Sequence, residues 1–236
     1  MSISYCFFAE TQLQFVWGKA TIAARCIIFF LIIASVFVWY MMVSKALQML
    51  RAKRLNALFE NAFRQEEKVL GIFDRSPPVS GCPMFSVYQE GCAELAARLK
   101  SEGGGARKRF ISLKSMEHVK RTLENAVARE SLKLESGLIL LAIAVSGAPF
   151  LGLLGTVWGV MDTFAQVGMQ GKADLPTMAP GVSAALITTV AGLLVAIPSM
   201  FAYNFLVHTL RVQTVELDNF AQDLTSRMET EYLHDE

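Results

Sequence analysis

The sequence reads Ser146-Gly-Ala-Pro-Phe-Leu-Gly-Leu-Leu-Gly-Thr-Val-Trp-Gly159 and, after a short polar link, Ala179-Pro-Gly-Val-Ser-Ala-Ala-Leu-Ile-Thr-Thr-Val-Ala-Gly192. These segments lie within two uncharged runs, 137–161 and 175–207. As helices, both runs exceed the roughly 30 Å thickness of a bilayer core. Both also carry glycine, alanine and threonine where a simple lipid anchor would carry leucine. Such residues are typical of helices that pack closely or line a polar space.

A third apolar run, residues 26–43, is long enough to cross a bilayer. We set aside a signal peptide, because about 25 residues precede the run and no small-residue cleavage site follows it. Hydrophobic residues make up 53% of the chain. The sequence therefore predicts an all-α integral membrane protein with three transmembrane helices.

Orientation follows from the lysine and arginine residues that flank the three apolar runs, because the side richer in these residues is cytoplasmic. One side carries Lys45, Arg51, Lys53, Arg54, Lys120, Arg121, Arg129, Lys133, Arg211 and Arg227, and the other carries Lys19, Arg25 and Lys172. The predicted segments are an outer N-terminus 1–25, transmembrane helix 1 at 26–43, a cytoplasmic helical segment 44–136, transmembrane helix 2 at 137–165, an outer link 166–178, transmembrane helix 3 at 179–207 and a cytoplasmic helical tail 208–236.

Helical periodicity continues beyond the membrane on the cytoplasmic side. From about Ser112 the pattern runs into the second span with no break signal, which predicts one helix of about 50 residues. The third span is expected to extend into the tail in the same way. Two transmembrane helices would then extend into a cytoplasmic helical bundle.

Other functional classes find no support in the sequence. There is no phosphate-binding loop, zinc-protease motif or nucleophile elbow, so an enzyme is not predicted. The four cysteines have no metal-ligand spacing, and no cofactor motif is present. No basic stripe with interleaved aromatics suggests nucleic acid.

Small and hydroxylic residues share one face of each of the last two spans. The second span carries Ala148, Gly152, Thr156, Gly159 and Thr163, and the third carries Gly181, Ala185, Thr189, Gly192 and Ala196. Gly155 adds a second close-packing position beside Gly159. One interpretation is that these faces only pack, with each threonine bonded to its own helix. In the other, Thr156 and Thr189 line a polar cavity that receives water or a partner's ionisable group.

Acidic residues are absent from the middle of both spans. Asp162 and Asp174, the only acids between Gly137 and Val207, lie toward the outer side. A proton-carrying machine needs a titratable group inside the membrane, so a partner would have to supply it. Pro149 and Pro198 lie within the spans, where proline can kink a helix and free carbonyl groups.

The segments 147–161, 178–198 and 202–204 closely resemble the TolQ/ExbB/MotA proton-channel family. The arrangement of spans also agrees, and chain length and the tail segment 216–220 are more similar to the TolQ branch than to the longer, four-span MotA. The resemblance implies a bacterial inner-membrane protein with a periplasmic N-terminus, in a homopentamer around single-span TolR/ExbD-like partners that carry a membrane aspartate. Threonines matching Thr156 and Thr189 would line the proton path.

The resemblance implies a stator subunit that uses the proton motive force for Tol-Pal-type work, in outer-membrane integrity and cell division, with a TolA/TonB-like protein as a further partner. The alternatives are an ExbB-like subunit that energises outer-membrane import and a non-conducting membrane scaffold. One departure stands out: Ala184 occupies a position where family members commonly have glutamate.

Overall fold

A computed structural model of the protein describes residues 22–75, 81–101, 110–170 and 174–233. Within these ranges the chain forms six helices, and the only bridge outside them pairs Ile111 with Leu233. The helices are α1 (Ile22–Gln65), α2 (Gly71–Arg75), α3 (Pro83–Ser101), α4 (Leu113–Glu135), α5 (Leu138–Gln170) and α6 (Leu175–Tyr232). The all-helical class expected from the sequence is confirmed.

Three of these helices, α1, α5 and α6, are long and apolar enough to cross a membrane. They contain 44, 33 and 58 residues, so each exceeds the roughly 20 residues that a span needs. The expectation of three spans is confirmed by length and composition. Both α1 and α6 continue beyond their apolar parts without interruption.

The expected single helix from residue 112 into the second span is wrong. Helix α4 ends at Glu135 and α5 begins at Leu138. Between them, Gly137 has φ of +84°, a left-handed conformation that glycine adopts without steric cost. Ser136 caps α4 by donating its backbone N–H to the Leu132 carbonyl. Helices α1 and α6 are therefore the two spans that extend past their apolar segments, rather than the second and third.

By internal contacts the chain divides into two compact units. The first consists of residues up to 44 together with 137–204, and so contains the apolar part of α1, all of α5 and the first half of α6. Leu31 of α1 packs there with Ala148 of α5 and with Val195 and Ala196 of α6. The small side chains of Ala148 and Ala196 allow the helices to approach closely at this point.

The second unit consists of residues 45–136 and 205–236, and the structure describes most of it. Its core contains an aromatic cluster formed by Phe59, Phe63, Phe85, Tyr88 and Phe220. The Tyr88 hydroxyl donates to the Val69 carbonyl at 2.6 Å and accepts the Phe73 amide at 2.9 Å. These bonds attach the segment between α1 and α3 to the core.

Part of the sequence-based topology lies outside the described residues. This applies to most of the N-terminal segment 1–25, including Lys19, and to the centre of the outer link, including Lys172. The link is shorter than expected, because α5 continues to Gln170 and α6 begins at Leu175. The orientation of the chain in a membrane remains a prediction.

Candidate functional site

Helices α5 and α6 form an antiparallel pair through their small-residue faces. Gly152 lies beside Thr188 and Thr189, Gly159 beside Ala185, and Gly192 beside Ala148. A side-chain carbon on Gly192 would lie 2.5 Å from the Ala148 carbonyl oxygen. Because that neighbour is backbone, no rotamer change relieves the contact. Glycine at this position is what allows the two backbones to approach.

Three threonine hydroxyls meet where the two helices are closest. Thr156 of α5 and Thr189 of α6 are hydrogen-bonded to each other through their Oγ1 atoms. Thr188 donates to the Ala185 carbonyl at 2.6 Å on its own helix, and its Oγ1 also lies 3.0 Å from the Gly152 carbonyl on α5. We call Thr156, Thr188 and Thr189 the threonine cluster.

The Gly152 carbonyl oxygen is the common acceptor of the threonine cluster. It lies 3.2 Å from Thr156 Oγ1, 3.0 Å from Thr188 Oγ1 and 3.2 Å from Thr189 Oγ1. Thr188 is fully buried, whereas Thr156 and Thr189 are partly exposed at the helix surface. The partly exposed hydroxyls are therefore the ones placed to contact another molecule. A hydroxyl group can both donate and accept a hydrogen bond without ionising.

The structure brings together the two threonines that the sequence singled out. Thr156 bonds the Gly152 carbonyl of its own helix, as the packing interpretation expects, but it also bonds Thr189 across the pair. Thr189 bonds Thr156 and the Gly152 carbonyl, both on α5. The threonine cluster is thus a hydrogen-bonded bridge between α5 and α6.

The remaining predicted site residues lie along the same helix pair. Hypothetical side-chain carbons on Gly155 and Gly181 would meet Thr188 and Thr163, and a carbon on Gly159 would lie 2.7 Å from the Ala185 side chain. Pro149 and Pro198 lie inside helices that continue unbroken through them. Sequence reasoning missed Thr188. Its signal was the Thr188-Thr189 pair, two adjacent hydroxylic residues in an otherwise apolar helix.

No acidic side chain belongs to the threonine cluster. Asp162, six residues beyond Thr156 on α5, is partly buried and accepts a bond from Gln166 at 3.4 Å. Ala184 is 3% exposed and packs against Ala24 of α1. A glutamate at position 184 would therefore start from an α1-facing position.

A family model described as the MotA/TolQ/ExbB proton channel family matches residues 93–219, which include the whole threonine cluster. The biopolymer transport protein ExbB of Xanthomonas campestris pv. campestris is 42% identical over 140 residues, which are 59% of this chain and 55% of that protein. This chain thus matches about half the length of that relative.

Two TolQ proteins match over more of their length. The Tol-Pal system protein TolQ of Pseudomonas aeruginosa is 33% identical over 197 residues, which are 83% of each chain. The Tol-Pal system protein TolQ of Haemophilus influenzae is 31% identical over 224 residues, which are 92% of this chain and 94% of that protein.

Proposed function

The chain belongs to the MotA/TolQ/ExbB proton channel family, and from this premise we propose that it is a TolQ-like stator subunit of a proton-driven motor in the bacterial inner membrane. In this proposal it forms a homopentamer around single-span TolR/ExbD-like partners. The motor uses the proton motive force for Tol-Pal-type work on the cell envelope. Its C-terminus faces the cytoplasm and its N-terminus the periplasm.

The threonine cluster is the observation that carries the proposal. It presents two partly exposed hydroxyls, Thr156 and Thr189, on the surface of an otherwise apolar helix pair. An apolar lipid would leave these hydroxyls with no outside partner, whereas a carboxyl group on a partner helix would use them. A plain packing interface would need no hydroxyl at a partly exposed position.

The partner's aspartate is the proton carrier in this scheme. Its carboxylate takes up one proton from the periplasmic side, and the neutral acid later releases that proton to the cytoplasmic side. The hydroxyls of Thr156 and Thr189 donate to the ionised form and accept from the O–H of the protonated form. A charge that crosses a potential of 100 mV gains about 2.3 kcal/mol, so several protons suffice for a mechanical step.

Proton flux in lipid vesicles tests the proposal. The chain is reconstituted alone and together with its single-span TolR/ExbD-like partner. A pH-sensitive dye then reports internal acidification under an imposed potential. We expect flux only when both proteins are present and the partner's aspartate is intact. Flux from this chain alone that disappears in Asp162→Asn would instead make Asp162 the carrier. No flux with the partner present would favour the scaffold.

Threonine variants assign the flux to the cluster. Thr156→Val and Thr189→Val keep the side-chain shape and remove the hydroxyl, so each is expected to abolish flux while the oligomer persists. Thr163→Val is the matched control, because the Thr163 hydroxyl bonds only the Gly159 carbonyl of its own helix. If both cluster variants conduct as well as Thr163→Val does, the hydroxyls serve packing alone.

The ExbB-like role is the second candidate, and the 42% identity to the Xanthomonas protein favours it. Identities of 33% and 31% over 83% and 94% of the two TolQ proteins favour the TolQ-like role. Complementation separates the two. A TolQ-like chain is expected to restore detergent resistance and normal division to a strain without TolQ. Restoration of outer-membrane import in a strain without ExbB, with no effect in the other strain, would reverse the assignment.

A further inference from the structure

The Gly152 carbonyl has more hydroxyl donors within reach than it can accept. Thr156, Thr188 and Thr189 all lie within 3.2 Å of it. A carbonyl oxygen has two lone pairs, and inside α5 one of them accepts the backbone N–H four residues later. One lone pair therefore remains for three hydroxyl protons. At any moment, two of the three hydroxyls must donate elsewhere.

Thr188 differs from its two neighbours because it is fully buried and has a short bond to a second carbonyl, that of Ala185, which Thr156 Oγ1 approaches only to 3.3 Å. Its Oγ1 lies 2.6 Å from the Ala185 carbonyl on α6 and 3.0 Å from the Gly152 carbonyl on α5. Rotation of the O–H bond alone moves the proton from one acceptor to the other, with no movement of heavy atoms. Since Thr188 is 0% exposed, it cannot itself reach a molecule outside the helix pair.

We propose that Thr188 is a positioning residue that takes over the Gly152 carbonyl whenever Thr156 and Thr189 turn their hydroxyls toward a carboxylate on a partner helix. This inference rests on the proposed function. When no partner carboxylate is present, Thr188 donates to the Ala185 carbonyl, and Thr189 or Thr156 donates to the Gly152 carbonyl. When an ionised partner carboxylate is present, the Thr188 O–H rotates to donate to the Gly152 carbonyl. The hydroxyls of Thr156 and Thr189 then both become available as donors to the carboxylate.

The physical reason for such a reserve donor is the cost of a buried acceptor without a partner. When Thr156 and Thr189 turn away, the Gly152 carbonyl keeps one lone pair without a donor in a low-dielectric environment. The cost of that lone pair offsets part of the free energy gained by the hydrogen bonds to the partner carboxylate. With the Thr188 hydroxyl present, only one of the Gly152 and Ala185 carbonyls is left with an unused lone pair, whereas without that hydroxyl both are. Thr188 therefore favours the ionised form of the partner carboxylate without contacting it.

A matched pair of substitutions isolates the Thr188 hydroxyl. Thr188→Ser and Thr188→Ala both delete the methyl group, and only Thr188→Ala deletes the hydroxyl. With the partner present in vesicles, we expect Thr188→Ser to conduct near the wild-type rate and Thr188→Ala to conduct about tenfold less, the change that one lost hydrogen bond makes in an equilibrium. Thr188→Val, which keeps the side-chain volume, is a second hydroxyl-free variant should Thr188→Ala fail to assemble.

The pH dependence of the flux separates positioning from packing. Without the Thr188 hydroxyl, the hydrogen bonds of Thr156 and Thr189 to the ionised partner carboxylate are weaker, so the pKa of that carboxyl group rises. The pH profile of the flux in Thr188→Ala therefore shifts to higher pH. A packing defect would scale the flux equally at every pH. An unshifted profile in an assembled hydroxyl-free variant, or equal flux in Thr188→Ser and Thr188→Ala, would overturn the inference.

Failure of the proposed function gives a different result. If the wild-type pair of proteins carries no protons, the stator proposal falls and the Thr188 inference falls with it. If the wild type conducts, the Thr188 variants decide the inference alone.

Discussion

The Gly192→Ala substitution tests the close approach of α5 and α6 with a single methyl group. The added carbon would lie 2.5 Å from the Ala148 carbonyl oxygen and 3.1 Å from Gly152 Cα, both of them backbone atoms. An ordinary contact is close to 3.5 Å. The two helices must therefore separate locally by several tenths of an ångström or more, at the level where the threonine cluster joins them.

The expected loss of stability has two sources. Overpacking of a tight contact costs about 1–3 kcal/mol. Separation of the helices also stretches the bonds from Thr188 and Thr189 to the Gly152 carbonyl, now 3.0 and 3.2 Å, and each lost bond is worth about 1 kcal/mol. Alanine gains up to about 1 kcal/mol over glycine in a helix. The net destabilisation is therefore about 2–4 kcal/mol.

Unfolding of the purified protein in mixed micelles, with an increasing mole fraction of denaturing detergent, measures this difference. Gly147→Ala is the control, because the same methyl group on α5 would meet nothing within 4 Å. Gly147→Ala is expected to be as stable as wild type or slightly more stable. If Gly192→Ala behaved like Gly147→Ala, the close approach of the two backbones would be refuted.

Four further predictions concern the second unit. Tyr88→Phe removes a bond to Val69 and leaves the Phe73 amide without its acceptor, so we expect about 1–3 kcal/mol of lost stability by chemical denaturation of the full chain; an unchanged midpoint would contradict this. Burial raises the pKa of the Cys92 thiol to about 12, so Cys92 is expected to resist alkylation at pH 8.5 until the protein is unfolded. The same shift means that stability is fully present below pH 9, the ordinary thiol range, and falls as pH rises toward 12; a flat stability profile over that range would oppose it. In a chain with Cys6 replaced by serine, Ser101→Cys should react with an impermeant thiol reagent only after the cells are opened, and labelling of Ser101→Cys from the periplasmic side would refute the predicted orientation.

Hydropathy and residue spacing were sufficient to predict the three spans and the small-residue faces of α5 and α6. Apolar runs of about 18 residues or more with few charges are candidate membrane helices. The three- and four-residue spacing from Gly152 through Thr156 to Gly159 fixes which residues share a face. These two patterns singled out Thr156 and Thr189, and the bond between them is a finding of the structure.

The break at Gly137 and the role of Thr188 were harder to predict. The sequence around Ser136-Gly137 has the features of a helix C-terminus, with Lys133 in the last turn. The apolar residues that follow continue the helical periodicity and conceal it. Thr188 lies one position from the predicted face, a rotation of about 100°. Its placement between the helices depends on its tertiary contacts with Gly152 and Gly155, which no local sequence pattern contains.

A neutral hydroxyl cluster suits a site that meets a carboxyl group in two protonation states. A fixed lysine or arginine at the position of Thr156 would hold the carboxylate in its ionised form and depress its pKa, so release of the group would be slow. An apolar lining would keep it protonated and prevent it from giving up its proton. Hydroxyls that exchange donor and acceptor roles support both states with a small difference in free energy. That difference is small only if the Gly152 carbonyl is satisfied in both states, and the fully buried Thr188, with its two acceptors, meets that condition.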